Sequence, residues 1–302
     1  MSEQDGRQAT AIQRPTTTDP GAWNAYWEAK GQEWRIEPEI SSERQQYLAE
    51  RRSITPSIEQ GIYSFKGIEP KLNRADVEWL LATHENGRGP VDWNDPARRN
   101  RQGLDLRGAE LRAVDLHNLP LTCIRGGLGG NELNNVTTEQ SEKAAIHLEN
   151  TNLVETHLEE AYLYHAHIEG ANLSKAHLEG ADCRRTNLEG SNLSQAYLGA
   201  DENAPTTFSL TDLRMESIDR RTNLEGIILG SKQFGYALLA DVNWGDANLT
   251  LINWEGIDML GDEREARNLN VPDKKDLWHD KVKARTESEE VQQRERRKNT
   301  RS

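Results

Sequence analysis

The chain has 302 residues, a formal net charge of −13 and 35% hydrophobic residues. That apolar share is lean for one globular core, and no run of 18 apolar residues occurs, so no membrane-spanning helix is expected. Two cysteines make no disulfide framework, and the polar opening MSEQDGRQATAIQRPTTTDPG lacks the apolar core of a secretory signal, so the expected location is the cytoplasm.

Residues 1–20 are polar and rich in Thr, Gln and Pro, which predicts disorder. Residues 21–102 read as a small, mostly helical N-terminal flank. Trp23, Tyr26, Trp27 and Trp34 form an aromatic cluster whose simplest role is a packing layer. Glu43 to Arg52 reads as a short charged helix, and Pro56 and Gly61 then break the chain. Asn73 to His84 reads as a better helix. Asn73 is its N-cap, Asp76 lies in the first turn, Val77, Leu80 and Leu81 make its apolar face, and Gly87 and Gly89 end it. Asp76, His84, Glu85 and Asp92 lie near one another in sequence, but their spacing asks for no chemistry.

From Leu104 a different order begins. Leu106, Leu111, Leu116 and Leu121 recur every fifth residue, with Ala109 and Val114 two places before the middle pair. Residues 122–145 carry four glycines and many polar side chains and read as a protruding loop. The period then returns for eleven units from Ile146 to Gly199. Its large residues are Leu148, Leu153, Leu158, Leu163, Ile168, Leu173, Leu178, Cys183, Leu188, Leu193 and Leu198. Two places before each stands Ile146, Thr151, Thr156, Ala161, Ala166, Ala171, Ala176, Ala181, Thr186, Ser191 or Ala196, all but the first of them small. A period of five fits neither a helix at about 3.6 nor a strand at about 2.0, and a run this long marks a repeat architecture. If the large residue i and the small residue i−2 point inward, the other three positions face water, and they are mostly polar. Cys183 at an i position is then a buried small hydrophobe.

A second loop is expected at 199–205, and the period resumes with Phe208, Leu213 and Ile218 and then from Leu224 to Met259. Lys232 stands at an inward position there, which predicts a distorted wall with the lysine reaching out to solvent. Residues 261–302 form a charged tail. Beyond Gly261 it holds ten acids and twelve bases, with Leu277, Ala284 and Val291 as a thin helical seam.

The units "ANLSK", "AHLEG", "TNLEG", "SNLSQ" and "ADCRR" resemble the pentapeptide-repeat family, with its pattern A(D/N)LxX. The resemblance implies an all-β solenoid: a right-handed quadrilateral β-helix, four pentapeptides per coil, over residues 103–260. The helical flank and a helical or disordered tail lie outside it. With 26 inward centres, the rod would hold about six and a half coils and be roughly 30 Å long at about 4.8 Å per coil.

Four sides give the surface an order. Glu149, Glu159, Glu169, Glu179 and Glu189 all follow the large residue and are ten residues apart, half a coil. Alternate members therefore fall on opposite faces. His147, His157, His167 and His177 obey the same rule one place before the large residue. Parallel ladders on a flat wall splay their imidazoles, so no metal or cofactor is expected. Stacked imidazoles beside carboxylates could make a pH-sensitive surface, while the plainest reading is a duplicated polar pattern that solvates the rod.

No nucleophile elbow, P-loop, paired-cysteine site or HExxH motif occurs, so the expectation is a non-enzymatic interaction scaffold for a protein partner that the sequence does not name, without direct nucleic-acid binding. The alternative comes from the resemblance: some pentapeptide-repeat proteins mimic duplex DNA and bind a topoisomerase such as gyrase. The net charge and Glu ladders agree with that; Lys175, Arg184 and Arg185 interrupt the field, and Leu stands where the gyrase-binding members often carry Phe. The oligomeric state is left open by the sequence.

Overall fold

A computed structural model of the chain describes residues 13–95, 97 and 101–198, with the backbone of two short strands further on. Helices α1 (Pro20–Glu28), α2 (Ser42–Arg52), α3 (Arg74–Ala82) and the kinked turn α4 (His84–Gly87) build the flank. Each of the first three starts on a capped end. Asp19 accepts from the Ala22 amide at 3.0 Å, and Ser41 accepts from the Arg44 amide at 3.2 Å. Asn73 and Asp76 exchange side-chain to backbone bonds at 3.0 and 3.1 Å, a complete capping box. Trp23 and Trp27 are buried, so the aromatic cluster is packing; the Trp27 indole donates to the Glu37 carbonyl at 2.8 Å.

The flank covers the first coil of the rod. Leu48, Phe65, Ile68, Leu72, Val77, Leu80 and Leu81 are buried in one continuous apolar core with Leu104 to Leu198. A buried ion pair fixes the junction. Arg74 donates to Glu78 at 2.8 Å and to the carbonyls of Asp115 and His117 at 3.2 and 3.1 Å. Glu78, with none of its surface exposed, also accepts from the amides of Ile36 and Glu37. Burial pushes the Glu78 carboxyl up, against the pull of these donors.

In the rod each five-residue unit makes one side. The amide of the residue at i+3 donates to the carbonyl of i, as Thr151 does to Leu148 at 3.2 Å, and so closes a tight turn. The residue at i+2 takes a positive φ at every one of these corners, from Gly108 and Ala113 to Gly190 and Gln195. Glycine accepts this conformation freely; Glu155, Glu160, Lys175 and Arg185 hold it at a cost that the stack must offset.

The sides stack through the residue at i−1. The His147 amide donates to the Ala109 carbonyl at 2.9 Å and its carbonyl accepts from the Leu111 amide at 2.8 Å, while the Leu148 amide donates to the His167 carbonyl of the next coil at 2.7 Å. Bridge partners are parallel and 20 residues apart, as in His147 with His167 and Asn172 with Asn192. Four pentapeptides therefore make one coil. The bridges are isolated residues rather than strands, because each side leaves only one residue between two corners with the geometry to pair. Thr151, Thr156 and Thr186 sit in the bore and satisfy their hydroxyls on the carbonyls of Leu111, Leu116 and Leu163 at 2.8–3.0 Å.

The loop expected at 122–145 is shorter than that. Arg125 still pairs with Asp105, 20 residues back, so the coil runs on through residues 122–126. Gly126 holds the inward place that leucine holds elsewhere: a Cβ there would come within 2.8 Å of Ile146 Cγ2. Across the insertion the bridge partners are 37 residues apart, as in Glu110 with His147, so 17 residues are added. They include a 3-10 turn (Gly130–Leu133) and α5 (Thr138–Ala144), and the chain rejoins the same corner that it left. The loop at 199–205, the later repeats and the tail lie outside the described residues. The one described pairing there, Gly230–Ser231 with Gly235–Tyr236, is antiparallel.

Leu163→Ala should lower the unfolding free energy by about 2–5 kcal/mol in chemical denaturation, because Leu163 is fully buried in the bore. Gly127→Ala should cost more than about 1 kcal/mol, since its Cβ would lie 2.3 Å from the Tyr164 carbonyl oxygen, a backbone atom that cannot give way. Removing residues 1–101 should expose Leu104, Leu106 and the open edge of the first coil and produce self-association in light scattering; a monodisperse, folded truncation would contradict the capping role of the flank.

Candidate functional site

Four walls follow from the bridge columns. The first carries Asp105, Arg125, Tyr162 and Asp182; the second Glu110, His147, His167 and Asn187; the third Asp115, Asn152, Asn172 and Asn192; the fourth Pro120, His157, His177 and Tyr197. The second and fourth are opposite, so the two histidine ladders fall where the ten-residue spacing puts them. The rings stack face to face. His147 and His167 are 4.6 Å apart at 1°, and His157 and His177 are 4.8 Å apart at 8°. Tyr197 continues the fourth wall's stack at 4.5 Å from His177.

Each histidine faces the glutamate two places on. Nδ1 lies 3.0 Å from Oε1 in His147–Glu149, 2.7 Å in His157–Glu159, 3.4 Å in His167–Glu169 and 3.3 Å in His177–Glu179. These pairs replace a backbone device used on the third wall. There Asn152, Asn172 and Asn192 accept from the amide two residues on at 3.1–3.3 Å. The family of side chains at i−1 is therefore set first by the need to hold the turn.

The glutamates are not the open ladder that the sequence suggests. Glu159 is 1% exposed and accepts from both His157 and the Thr122 hydroxyl, the latter at 2.9 Å. Glu149 is partly covered and is met by Arg112, whose Nε lies 2.9 Å from Oε1. Arg112 also binds Glu110 and reaches His147 Nδ1 at 2.7 Å. Glu169 accepts from the Asn187 amide group at 2.6 Å. Glu142 of α5 lies 3.5 Å from His167 Nε2 and 3.6 Å from His165 Nδ1. The ladder ends at Glu189 in the described residues, without a histidine: Asn187 precedes it and accepts from its amide at 3.1 Å. Arg112, Thr122 and Glu142 carry no periodic signal, and only the coil register, which brings residues 37 apart together, could have found the first two.

The environments separate the histidines. Hydrogen bonds to Glu159 and Glu169 raise His157 and His167 above their ordinary value, against burial. Burial pushes His165 down, although Glu142 opposes it. For Glu149 burial pushes upward, but His147, its own amide and Arg112 outweigh this and hold the carboxyl below its ordinary value. His157, Glu159 and His177 offer one donor atom each within 4.8 Å of one another, and so do His147, Glu149 and His167.

Two clefts of about 330 and 390 Å³ lie where the flank meets the first coil. Their charged groups are paired: Glu132 with Arg107 and Arg125, and Arg101 with Glu85 at 2.6 Å. Among the described residues no helix is long and apolar enough to cross a membrane.

Residues 145–180 and 166–199 match the family model for pentapeptide repeats, in eight copies. Among solved structures, the chain is similar to a pentapeptide repeat protein, Rfr23, from the cyanobacterium Cyanothece 51142, at 22% identity over 46% of this chain and 82% of that one, with a TM-score of 0.31. It is also similar to QnrB1, a plasmid-mediated fluoroquinolone resistance protein, at 13% identity over 57% and 98% of the two chains, TM-score 0.16. HetL of the cyanobacterium Nostoc sp. strain PCC 7120, a pentapeptide repeat protein involved in heterocyst differentiation regulation, is 20% identical over 59% and 83%, TM-score 0.14. No curated protein matches the chain.

Proton NMR titration should place the midpoints of His157 and His167 above about 6.5 and that of His165 below it. Glu169→Gln should lower the His167 midpoint. The stabilisation from His157 and His167 is complete below about pH 6.5 and is lost as pH rises through their folded midpoints. That from His165 has the opposite sign: it is complete above about pH 6.5 and is lost as pH falls through its folded midpoint. Overall stability should therefore vary less with pH than the individual midpoints suggest.

Proposed function

The chain belongs to the pentapeptide-repeat family, and on that footing we propose that it is a non-enzymatic scaffold whose walls bind another protein. The observation that carries this reading is the filled bore. From Leu104 to Leu198 the inward leucines and small residues are buried against one another, so the rod's interior has no room for a substrate. What it offers is four walls of regularly spaced polar side chains on a backbone that every coil locks to the next. The right hand of the coil and a cytoplasmic location belong to the same proposal.

Mimicry of duplex DNA toward a topoisomerase such as gyrase is the second reading, and the surplus of acids favours it. Magnitude weighs against it. Residues 101–198 hold 14 acids and 8 bases, a net charge of −6. Their four coils span about 19 Å, over which a duplex carries about 11 phosphates. Moreover, Glu149 is met by Arg112 and Glu159 is buried, so two of the ladder's carboxylates project little field.

Affinity capture with mass spectrometry should recover a specific partner with the intact protein, and a charge placed on one wall, as in Asn172→Lys with Asn192→Lys, should abolish the capture if that wall is read. Recovery of no specific partner by the intact chain would count against the scaffold. In a supercoiling assay the protein should leave gyrase unaffected at micromolar concentration, with or without a quinolone; inhibition or protection would favour mimicry instead.

A further inference from the structure

The two histidine ladders are alike in sequence but not in what lies against them. On the second wall a cation is already in place: the Arg112 guanidinium contacts Glu110, Glu149 and His147 Nδ1 together. The constellation of imidazole and carboxylate is thus one that draws positive charge. On the fourth wall the same constellation has no such tenant. Among the described residues the ion pairs of Glu159 and Glu179 are with His157 and His177 alone. Lys175, at the neighbouring corner, is bound to Glu155 at 2.9 Å.

The donors there are two imidazoles and a buried carboxylate. Thr122 and the surrounding wall hold Glu159, and Glu179 adds a second carboxylate whose Oε2 is buried without a hydrogen-bond partner. Imidazole and carboxylate together suit first-row divalent ions, zinc above all. Two nitrogens on one tetrahedral zinc ion, each at about 2.1 Å, lie about 3.4 Å apart. The rings stack at 4.8 Å, so their nitrogens must tilt toward each other by roughly 1.4 Å. The side chains of His157 and His177 are 46% and 32% exposed, which leaves room for the tilt, and His177 makes it by leaning away from Tyr197 on its other face. The Nδ1 edges already point at the carboxylates, so coordination replaces the His–Glu hydrogen bonds and releases the protons that they hold.

We propose that His157, His177 and Glu159, with Glu179 beside them, form a binding site for one zinc-class divalent cation on the fourth wall, and that Arg112 keeps the matching site on the second wall closed. Calorimetric titration of the intact, tag-free protein with zinc chloride at pH 7.5 tests it. One equivalent should bind saturably. His177→Ala, a half-exposed change that leaves the wall's backbone bonds intact by circular dichroism, should weaken binding more than about tenfold. His147→Ala should leave it unchanged, and Arg112→Ala should add a second equivalent. Absence of saturable binding, its survival in His177→Ala, or equal loss in His147→Ala would overturn the site. Failure of the second equivalent to appear would overturn the role given to Arg112.

Discussion

The amide-to-carbonyl ladder between coils is the constraint from which the rest follows. Each side sends hydrogen bonds of about 2.7–3.2 Å to the side above and below, as in Leu148 to His167 and Asn150 to Glu169. Bridged residues lie 20 apart, so the bore's leucines stack directly and the corners stack too. The corners then fix the sequence. An inward residue needs bulk, the one two places before it is small at most units, and the one two places after it must tolerate a left-handed backbone. The outer residue at i−1 is freer, because any side chain that steadies the turn will serve.

That hierarchy explains both sides of the histidine pattern. His and Glu at i−1 and i+1 do locally what Asn does on the third wall by gripping an amide. Structure alone therefore accounts for each pair taken singly. It does not require the pairs to share a wall, and it is this sharing that stacks rings at 4.6–4.8 Å and gathers carboxylates beside them. A chemistry can thus arise from a turn device once the coil length is a multiple of the pattern's period.

The bore was largely legible because inward leucine is a physical requirement repeated at every unit, and Leu148 to Leu198 obey it without a gap. The fifth unit of the first stretch was not legible, since Gly126 takes the leucine place under pressure from Ile146, a residue 20 positions on in sequence and adjacent only after folding. The same limit hid the burial of Glu159. Its place after Leu158 reads as outward, and only the arrival of Thr122 from the coil below closes it off. Asn73 and Asp76, by contrast, declare the start of α3 locally, because a capping box is made within four residues.

The 17-residue excursion that leaves and re-enters at one corner has a rotational consequence. Adding a single five-residue unit to such a tube would turn everything beyond it through a quarter circle and put histidines where asparagines had been. Adding a whole coil would shift it along the axis by one notch with no turn at all. An outward detour does neither, whatever its length. The columns on either side of the excursion stay in line, so the rungs of one wall keep their register from Glu110 to Asn187.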